Sequence, residues 1–538
     1  MEEKLNQLKN HLAEIHALHG ATAVLGWDLQ VNMPSGGFEG RGKQLAVLET
    51  LAHQKSTSEE MGRLLDDLKK ETAGMDPDSD EARLVKVTAR HYDKQTRVPA
   101  SLVAAMAEAT SVGHEVWQRA RANNDFAAFQ PQLEKIVDLV RQYAALFTPV
   151  DHPYDALLDD YEPGMKTREV QAIFGELRSE QVALIREIAA RPQVENAFLR
   201  KTYPEQGQWD FGVEVMTAFG YDWNRGRQDK SAHPFTTSFG IGDVRLTTRI
   251  FPELVLSSLM SSMHECGHAM YEQGMNPKYE ATPLAQASSM ALHESQSRMW
   301  ENLVGRSLPF WKHYFPRMRE YFPEQLAGVE LDDFYRAINR VEPSLIRVEA
   351  DEATYNLHIM LRMEIEIALL EGSLAVRDLP EVWNTRMQEY LGITPPNDTL
   401  GVLQDVHWSG GLFGYFPTYA LGNLVSVQLW EKINEAMPDL EQQIEAGQFG
   451  SLLEWLRANI HTQLRNFWDA GIRGPDFVWA ATGPAMEAYS QYPVVKKANN
   501  PGEVLTVGEF LVQVRRMVVD FVVGRVLSGD GDEEISGL

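Results

Sequence analysis

Helical periodicity runs through this sequence with almost no interruption, and that property confines the chain to a mainly α architecture. Apolar residues recur three and four apart at Leu5, Leu8, Leu12 and Ile15, and again at Ile136, Leu139, Val140 and Tyr143. From Met1 to about Lys230 the chain therefore reads as helices with short connections, and acidic stretches such as DSDEARL near Asp78 read as solvated helix starts. One segment breaks the pattern. His233 to Ile250, HPFTTSFGIGDVRLTTRI, is rich in Thr, Phe, Val and Ile and carries Gly240 and Gly242 between two β-like runs, which predicts a small hairpin or edge sheet. Just beyond it, Pro252 is suited to be the first residue of a helix running through Leu254, Leu256, Leu259 and Met263 to about Gln273, with Gly274 as its cap.

Charge and cysteine content exclude several function classes. The 76 acidic against 50 basic residues leave a formal charge of -26, which works against phosphate backbones and anionic membranes, so neither nucleic acid nor membrane is expected as a partner. The N-terminus is charged where a secretory signal would be apolar, and no apolar run approaches the roughly 18 residues of a membrane span. A single cysteine, Cys266, allows no internal disulfide. A cytoplasmic protein is the expectation. The sequence contains no GxxxxGKS/T phosphate loop, no GxSxG elbow and no CxxC pair.

The predicted helix after the β-like run contains His264-Glu265-Cys266-Gly267-His268, an HExxH pattern. Histidines at i and i+4 face the same way about 6 Å apart along the axis, so both imidazoles reach one ion at roughly 2.0–2.1 Å. Glu265 projects to one side of the first ligand, where it can hold and deprotonate the attacking water. Cys266, at i+2, points elsewhere and reads as a small buried residue. The β-like run ahead of the helix is a candidate edge strand that would hold an extended peptide by main-chain hydrogen bonds.

A catalytic zinc takes a third protein ligand and keeps one position open. Glu272 shares the helix face, but eight residues from His264 amount to about 12 Å of rise, too far for one ion. The ligand therefore comes from another segment. Glu294, in His293-Glu294-Ser295-Gln296, lies on a second helix-like run of Met290, Leu292, Met299 and Leu303 that Gly305 can cap. Adjacent helical positions diverge by about 100°, so only one of His293 and Glu294 can face the metal. Spacing favours Glu294 and leaves His293 open; the structural alternative for Glu294 is a surface pair with Arg298.

Several further blocks resemble the thermostable carboxypeptidase Taq family of metallocarboxypeptidases. They are GWD (Gly26 to Asp28), YDALLDDYEPGM (Tyr154 to Met165), HPF (His233 to Phe235), DVRLT (Asp243 to Thr247), HESQSRMWEN (His293 to Asn302), IRVEADE (Ile346 to Glu352), GVLQDVHW (Gly401 to Trp408) and FGYFPTYALG (Phe413 to Gly422). The resemblance implies an elongated, almost all-helical, grooved fold acting as one unit over residues 1–463, and a homodimer. It implies a zinc-dependent carboxypeptidase, with cobalt able to substitute, that removes C-terminal residues from short peptides with broad specificity. The nearest rival is an oligopeptidase or aminopeptidase using the same chemistry.

Residue by residue, the resemblance assigns His264, His268 and Glu294 to the metal, against His293, and Glu265 to the general base. It places His233 of the HPF block among the substrate-binding residues. A free C-terminal carboxylate calls for a fixed guanidinium; Arg347 is the first candidate and Arg245 the second, since the DxRxT and GxxQDxHW blocks close the end of the groove. The structural alternative for Arg347 is an ion pair with Asp351. His407 and Tyr419 are implied as donors to the oxyanion, with Tyr415 the alternative to Tyr419.

Beyond residue 463 the family pattern ends. The text from Leu464 to Leu538 resembles the closing part of adenine-specific DNA methylase-like proteins, without any cofactor-binding or catalytic methylase motif. Its apolar run from Phe510 to Leu527 is interrupted by Arg515, Arg516, Asp520 and Arg525, which suits an amphipathic docking helix.

Overall fold

The computed structural model describes residues 1–462 together with the backbone of two antiparallel strands, Pro493–Lys497 and Asn500–Thr506. The amphipathic helix expected at 510–527 lies outside the described residues, as does most of the segment from Leu464 to Leu538.

Helices dominate, as the periodicity predicts. The first spans Glu2–Val31 and buries Leu5, Leu8 and Leu12; Phe126–Ala145 buries Ile136, Leu139 and Val140. The acidic stretch near Asp78 does start a helix, Asp80–Arg97, whose first turn is capped by the Ser79 hydroxyl accepting from the Ala82 amide. Two apolar cores result. A small one joins the Glu2–Val31, Glu59–Thr72 and Asp80–Arg97 helices to Tyr279 and Leu284, and the large one fills the body from Ala109 to Ile460. Leu452, Leu453, Leu456 and Ile460 are buried in it, and His461 is hydrogen-bonded through Nε2 to Gln296 Oε1 at 3.0 Å. Among the described residues no helix is long and apolar enough to cross a membrane.

The expected hairpin forms as β2 (Thr236–Gly240) and β3 (Asp243–Thr248), antiparallel. A third strand, β1 (Gln228–Lys230), pairs parallel to β3, giving the order β1-β3-β2; three residues are too few for a periodicity signal. β2 is thus an edge. Thr247 N donates to Phe235 O at 2.9 Å, so the backbone groups of Phe235 and Thr237 turn toward β3 and those of Thr236 and Ser238 toward the open side.

The HExxH helix spans Val255–Gly274, so Pro252 lies outside it, in the turn that leads from β3. Gly274 is its last residue rather than its cap, whereas Gly305 does cap the second run, following its π-helical turn Met299–Val304 with a right-handed φ of -69° and donating its amide to Trp300 O at 3.0 Å. Close approach, not capping, explains the glycines at the centre. A Cβ on Gly267 would stand 2.7 Å from both Gln296 O and Ser297 Cα, so this residue sets how closely the HExxH helix meets the Met290–Arg298 helix. Across the other face of that second helix, Gly422 of the Pro417–Ala436 helix does the same against Glu294.

Candidate active site and metal centre

Four segments converge on one buried point. His264 and His268 project from the HExxH helix one turn apart, their ring centroids 4.8 Å apart. Glu294, from the neighbouring helix, brings Oε2 to 3.6 Å from His264 Nε2 and 3.4 Å from His268 Nε2. The candidate ligand atoms all lie within 4.8 Å of one another. Ligands held at roughly 2.0–2.1 Å in a tetrahedral shell stand about 3.3 Å apart, so the donor set fits a zinc-sized ion with little movement.

The outward nitrogens are also fixed. His264 Nδ1 is hydrogen-bonded to Glu301 Oε2 at 2.9 Å and His268 Nδ1 to the His293 carbonyl at 3.1 Å, which orients both Nε2 atoms toward the shared point. Arg298 donates to Glu294 Oε1 (2.7 Å) and to Glu301 Oε2 (3.1 Å). The pair expected for Glu294 thus exists, but it is buried, and it leaves Oε2 facing the histidines. Burial pushes the Glu294 carboxyl up, and the Arg298 and His264 charges outweigh it, holding the group well below the usual carboxylate range.

His293 stacks on His268 with centroids 4.2 Å apart and turns Nε2 to Glu272 Oε1 at 2.9 Å, so both sequence-level rivals for the third ligand are engaged with each other. Cys266 is fully buried, its thiol pushed up by burial, and outside the ligand set.

Glu265 is buried, and burial raises its carboxyl above the ordinary value, the condition for a base that later gives its proton back. The Thr236 hydroxyl of β2 donates to Glu265 Oε2 at 2.7 Å, fixing the carboxylate beside the strand edge. His233 is exposed just before β2, and its Nδ1 is hydrogen-bonded to the Pro234 carbonyl at 2.8 Å.

His407 and Tyr419 are hydrogen-bonded, Nε2 to hydroxyl, at 3.2 Å, and Tyr415 stands edge-on to Tyr419 with centroids 5.2 Å apart. Burial depresses His407 to about 3, so the imidazole is neutral, and burial raises Tyr419 well above 10, so the phenol keeps its proton. Arg347 lies 4.9 Å from the centroid of the Tyr419 ring. Its anticipated partner Asp351 instead caps the Glu352–Glu371 helix, because that carboxylate faces the Ala353 and Thr354 amides. The partner of Arg347 is Asp405, reached by Nε at 3.1 Å and Nη2 at 2.9 Å, while Nη1 donates to Tyr355 at 2.7 Å. Arg362 grips the other Asp405 oxygen at 2.6 Å.

Arg245 is not brought to this cluster. Opposed residues of a strand pair share a face, and Arg245 opposes Thr237, whereas Thr236 faces Glu265. Arg245 accordingly points away from Glu265, forms two bonds to Asp243 at 2.7 and 2.8 Å, and covers Trp27 and Phe239.

A sequence model described as carboxypeptidase Taq (M32) metallopeptidase matches residues 7–487. The chain belongs to that family. It is 42% identical over 455 residues to thermostable carboxypeptidase 1 of Thermus thermophilus, spanning 83% of this chain and 89% of that protein. Carboxypeptidase 1 of Bacillus subtilis is 37% identical over 442 residues, 82% of this chain and 88% of that one. Among solved structures, the M32 carboxypeptidase from Deinococcus radiodurans R1 superposes with a TM-score of 0.83 at 38% identity, covering 96% of this chain and 99% of the other. The protein is a metallocarboxypeptidase, and its helical body with one small sheet is the fold of that M32 enzyme.

Sequence reasoning missed Thr236, Glu301, Asp405 and Arg362. Glu301 left a signal, standing seven residues after Glu294 and three after Arg298, positions that share a helix face, and Asp405 stands inside the GVLQDVHW block without its role being legible there. Asp405 and Arg362 meet only through tertiary folding.

Proposed function

We propose that this M32 enzyme releases C-terminal residues one at a time from short peptides of varied sequence. Zinc, with cobalt as a substitute, is the metal we assign to His264, His268 and Glu294; when bound it polarises the scissile carbonyl and lowers the pKa of water at the open position. The buried convergence of those three side chains, with Glu265 held beside them by Thr236, carries the reading.

Each protein group then has a task. The peptide lies along the open edge of β2 and bonds to the outward amide and carbonyl groups of Thr236 and Ser238. Glu265 takes a proton from the attacking water and passes it to the leaving amine, a shuttle its raised pKa favours. His407 and Tyr419 donate to the carbonyl oxygen as it gains charge, since neutral imidazole and un-ionised phenol both keep a donor proton. Arg347, with N–H groups left over from Asp405 and Tyr355, receives the terminal carboxylate, and His233 flanks the same end. Tyr415 lines that wall behind Tyr419.

The strongly acidic surface fits a cytoplasmic enzyme with no nucleic-acid partner, and we carry over the homodimer that the family resemblance implies. The test is a mass-spectrometric time course with an unblocked peptide and its C-terminally amidated twin, on zinc- or cobalt-loaded and on chelated protein. Stepwise loss from the free peptide only, abolished by chelation, is the expected result. Equal cutting of both twins would mark an oligopeptidase or aminopeptidase instead.

A further inference from the structure

Arg347, the guanidinium assigned above to the terminal carboxylate, shares a single partner with a second arginine. Arg347 takes Asp405 Oδ1 through Nε at 3.1 Å and Nη2 at 2.9 Å, and Arg362 takes Oδ2 at 2.6 Å. Among the described residues no other carboxylate forms a salt bridge with either arginine. Glu366, one turn along the Arg362 helix, is bonded to Tyr154, Trp408 and the Gly414 amide instead. Two buried guanidiniums thus have one directly paired carboxylate between them, an arrangement that a bound anion completes. Arg362 is fully buried and cannot meet that anion. Arg347 can, since its five N–H groups make two bonds to Asp405 and one to Tyr355, leaving one N–H on each Nη atom.

Tyr355 stands at the same place with a donor to spare. Its hydroxyl oxygen accepts from Arg347 Nη1 at 2.7 Å, while its own O–H proton has no acceptor among the described residues, although the side chain is only 5% exposed. The ring is held on two sides. Arg298 lies over it with Cζ 4.4 Å from the centroid, and Tyr419 stands edge-on at 6.3 Å. Arg298 in turn donates to Glu294 and Glu301, so one side chain spans from the candidate metal centre to the carboxylate receptor. That span is short in the substrate too: the scissile carbonyl carbon and the carboxyl carbon of a C-terminal residue are three bonds apart, at most about 3.8 Å. A carboxylate oxygen that accepts from the spare Nη1 N–H also comes within reach of the Tyr355 O–H, because the two donor atoms are 2.7 Å apart.

Resting on the carboxypeptidase reading above, we infer that Tyr355 is a further substrate-binding residue, its hydroxyl accepting from Arg347 and donating to the terminal carboxylate of the peptide. Arg347 supplies the charge, and Tyr355 a second fixed point of attachment for the same group.

Tyr355→Phe keeps the ring and its stack on Arg298, and Arg347 keeps both Asp405 bonds, so the variant removes the hydroxyl alone. Initial rates on Ac-Ala-Ala-Phe are compared for zinc-loaded wild-type and variant protein. The expected result is a KM raised about twentyfold with kcat little changed, the pattern of a contact made equally in the ground and transition states. Zinc affinity, measured by chelator competition, should be unchanged, a readout that packing damage passed through Arg298 would move, and a crystal structure of the variant should show Arg347 in the same place. An unchanged KM, with wild-type protein cutting the peptide, would overturn the inference alone. So would a fall in kcat and zinc affinity at constant KM, which would make Tyr355 a support for the metal through Arg298, and so would a displaced Arg347. Zinc-loaded wild-type protein that leaves the peptide uncut would overturn the carboxypeptidase reading and this inference with it.

Discussion

Replacing Glu301 by Gln isolates what the residue behind the first histidine does for the metal. Glu301 Oε2 sits 2.9 Å from His264 Nδ1, in a side chain only 13% exposed, and shares Arg298 with Glu294. Gln keeps an oxygen to accept from Nδ1–H but removes the charge. A hydrogen bond to a charged group contributes about 1.5–3 kcal/mol and a neutral one about 0.5–1.5, so the loss is roughly 1.4 kcal/mol, or about tenfold in metal affinity. Loss of an outer-shell partner typically costs 10–100-fold, which brackets the same value. Glu301→Ala also removes the acceptor and leaves Arg298 with Glu294 alone, so its loss should approach the upper bound. Competition between the protein and a chromogenic chelator, titrated with zinc, gives the dissociation constants directly. Unchanged zinc affinity in Glu301→Gln, in a protein with wild-type circular dichroism, would refute the claim that Glu301 supports the metal through His264.

Three further outcomes follow from the same geometry. Glu265→Gln should lower kcat by 10² or more, roughly the contribution of general base catalysis, while metal analysis still finds one ion per chain; loss of metal along with activity would make Glu265 structural. Gly267→Ala should destabilise the fold by about 3 kcal/mol in urea unfolding and weaken metal retention, because its Cβ would meet backbone atoms of the Met290–Arg298 helix; a change within 0.5 kcal/mol (roughly a surface-substitution effect) would show that the helix contact is looser than it looks. Glu366 is fully buried, and burial raises its carboxyl from 4.5 to about 7 against donors from Tyr154, Trp408 and the Gly414 amide. Between those values the folded chain binds more protons than the unfolded one, so this group's contribution is complete below about 4.5 and lost as pH rises through 7. Wild-type stability relative to Glu366→Gln should thus fall by about 3 kcal/mol across that window, at 1.36 kcal/mol per pH unit; a difference that stays level would contradict it.

Much of the site was legible because it is local. Histidines one helical turn apart need no tertiary information to share a face, and the same 3.6-residue repeat that marks the helix sets their spacing. The β2–β3 hairpin was legible for the same reason, its composition and its two glycines being a short-range signal. Glu294 was half legible: spacing narrowed the choice to two adjacent residues, and the packing of Gly422 against one side of Glu294 and of Gly267 against its helix turns that carboxylate inward. Boundaries were not legible where geometry rather than propensity ends an element, as at Pro252, which stays in the turn.

The sequence by itself determined a mainly α chain with one short sheet, and the two histidines on one helix face with Glu265 between them, since each depends on neighbours within a few positions. Only the tertiary structure decided that Arg347 pairs with Asp405, 58 positions away, that Arg245 points away from Glu265, and that Glu301 and Thr236 are hydrogen-bonded to His264 and Glu265. Those contacts join segments whose separation in sequence says nothing about their separation in space, and burial then sets their charge states.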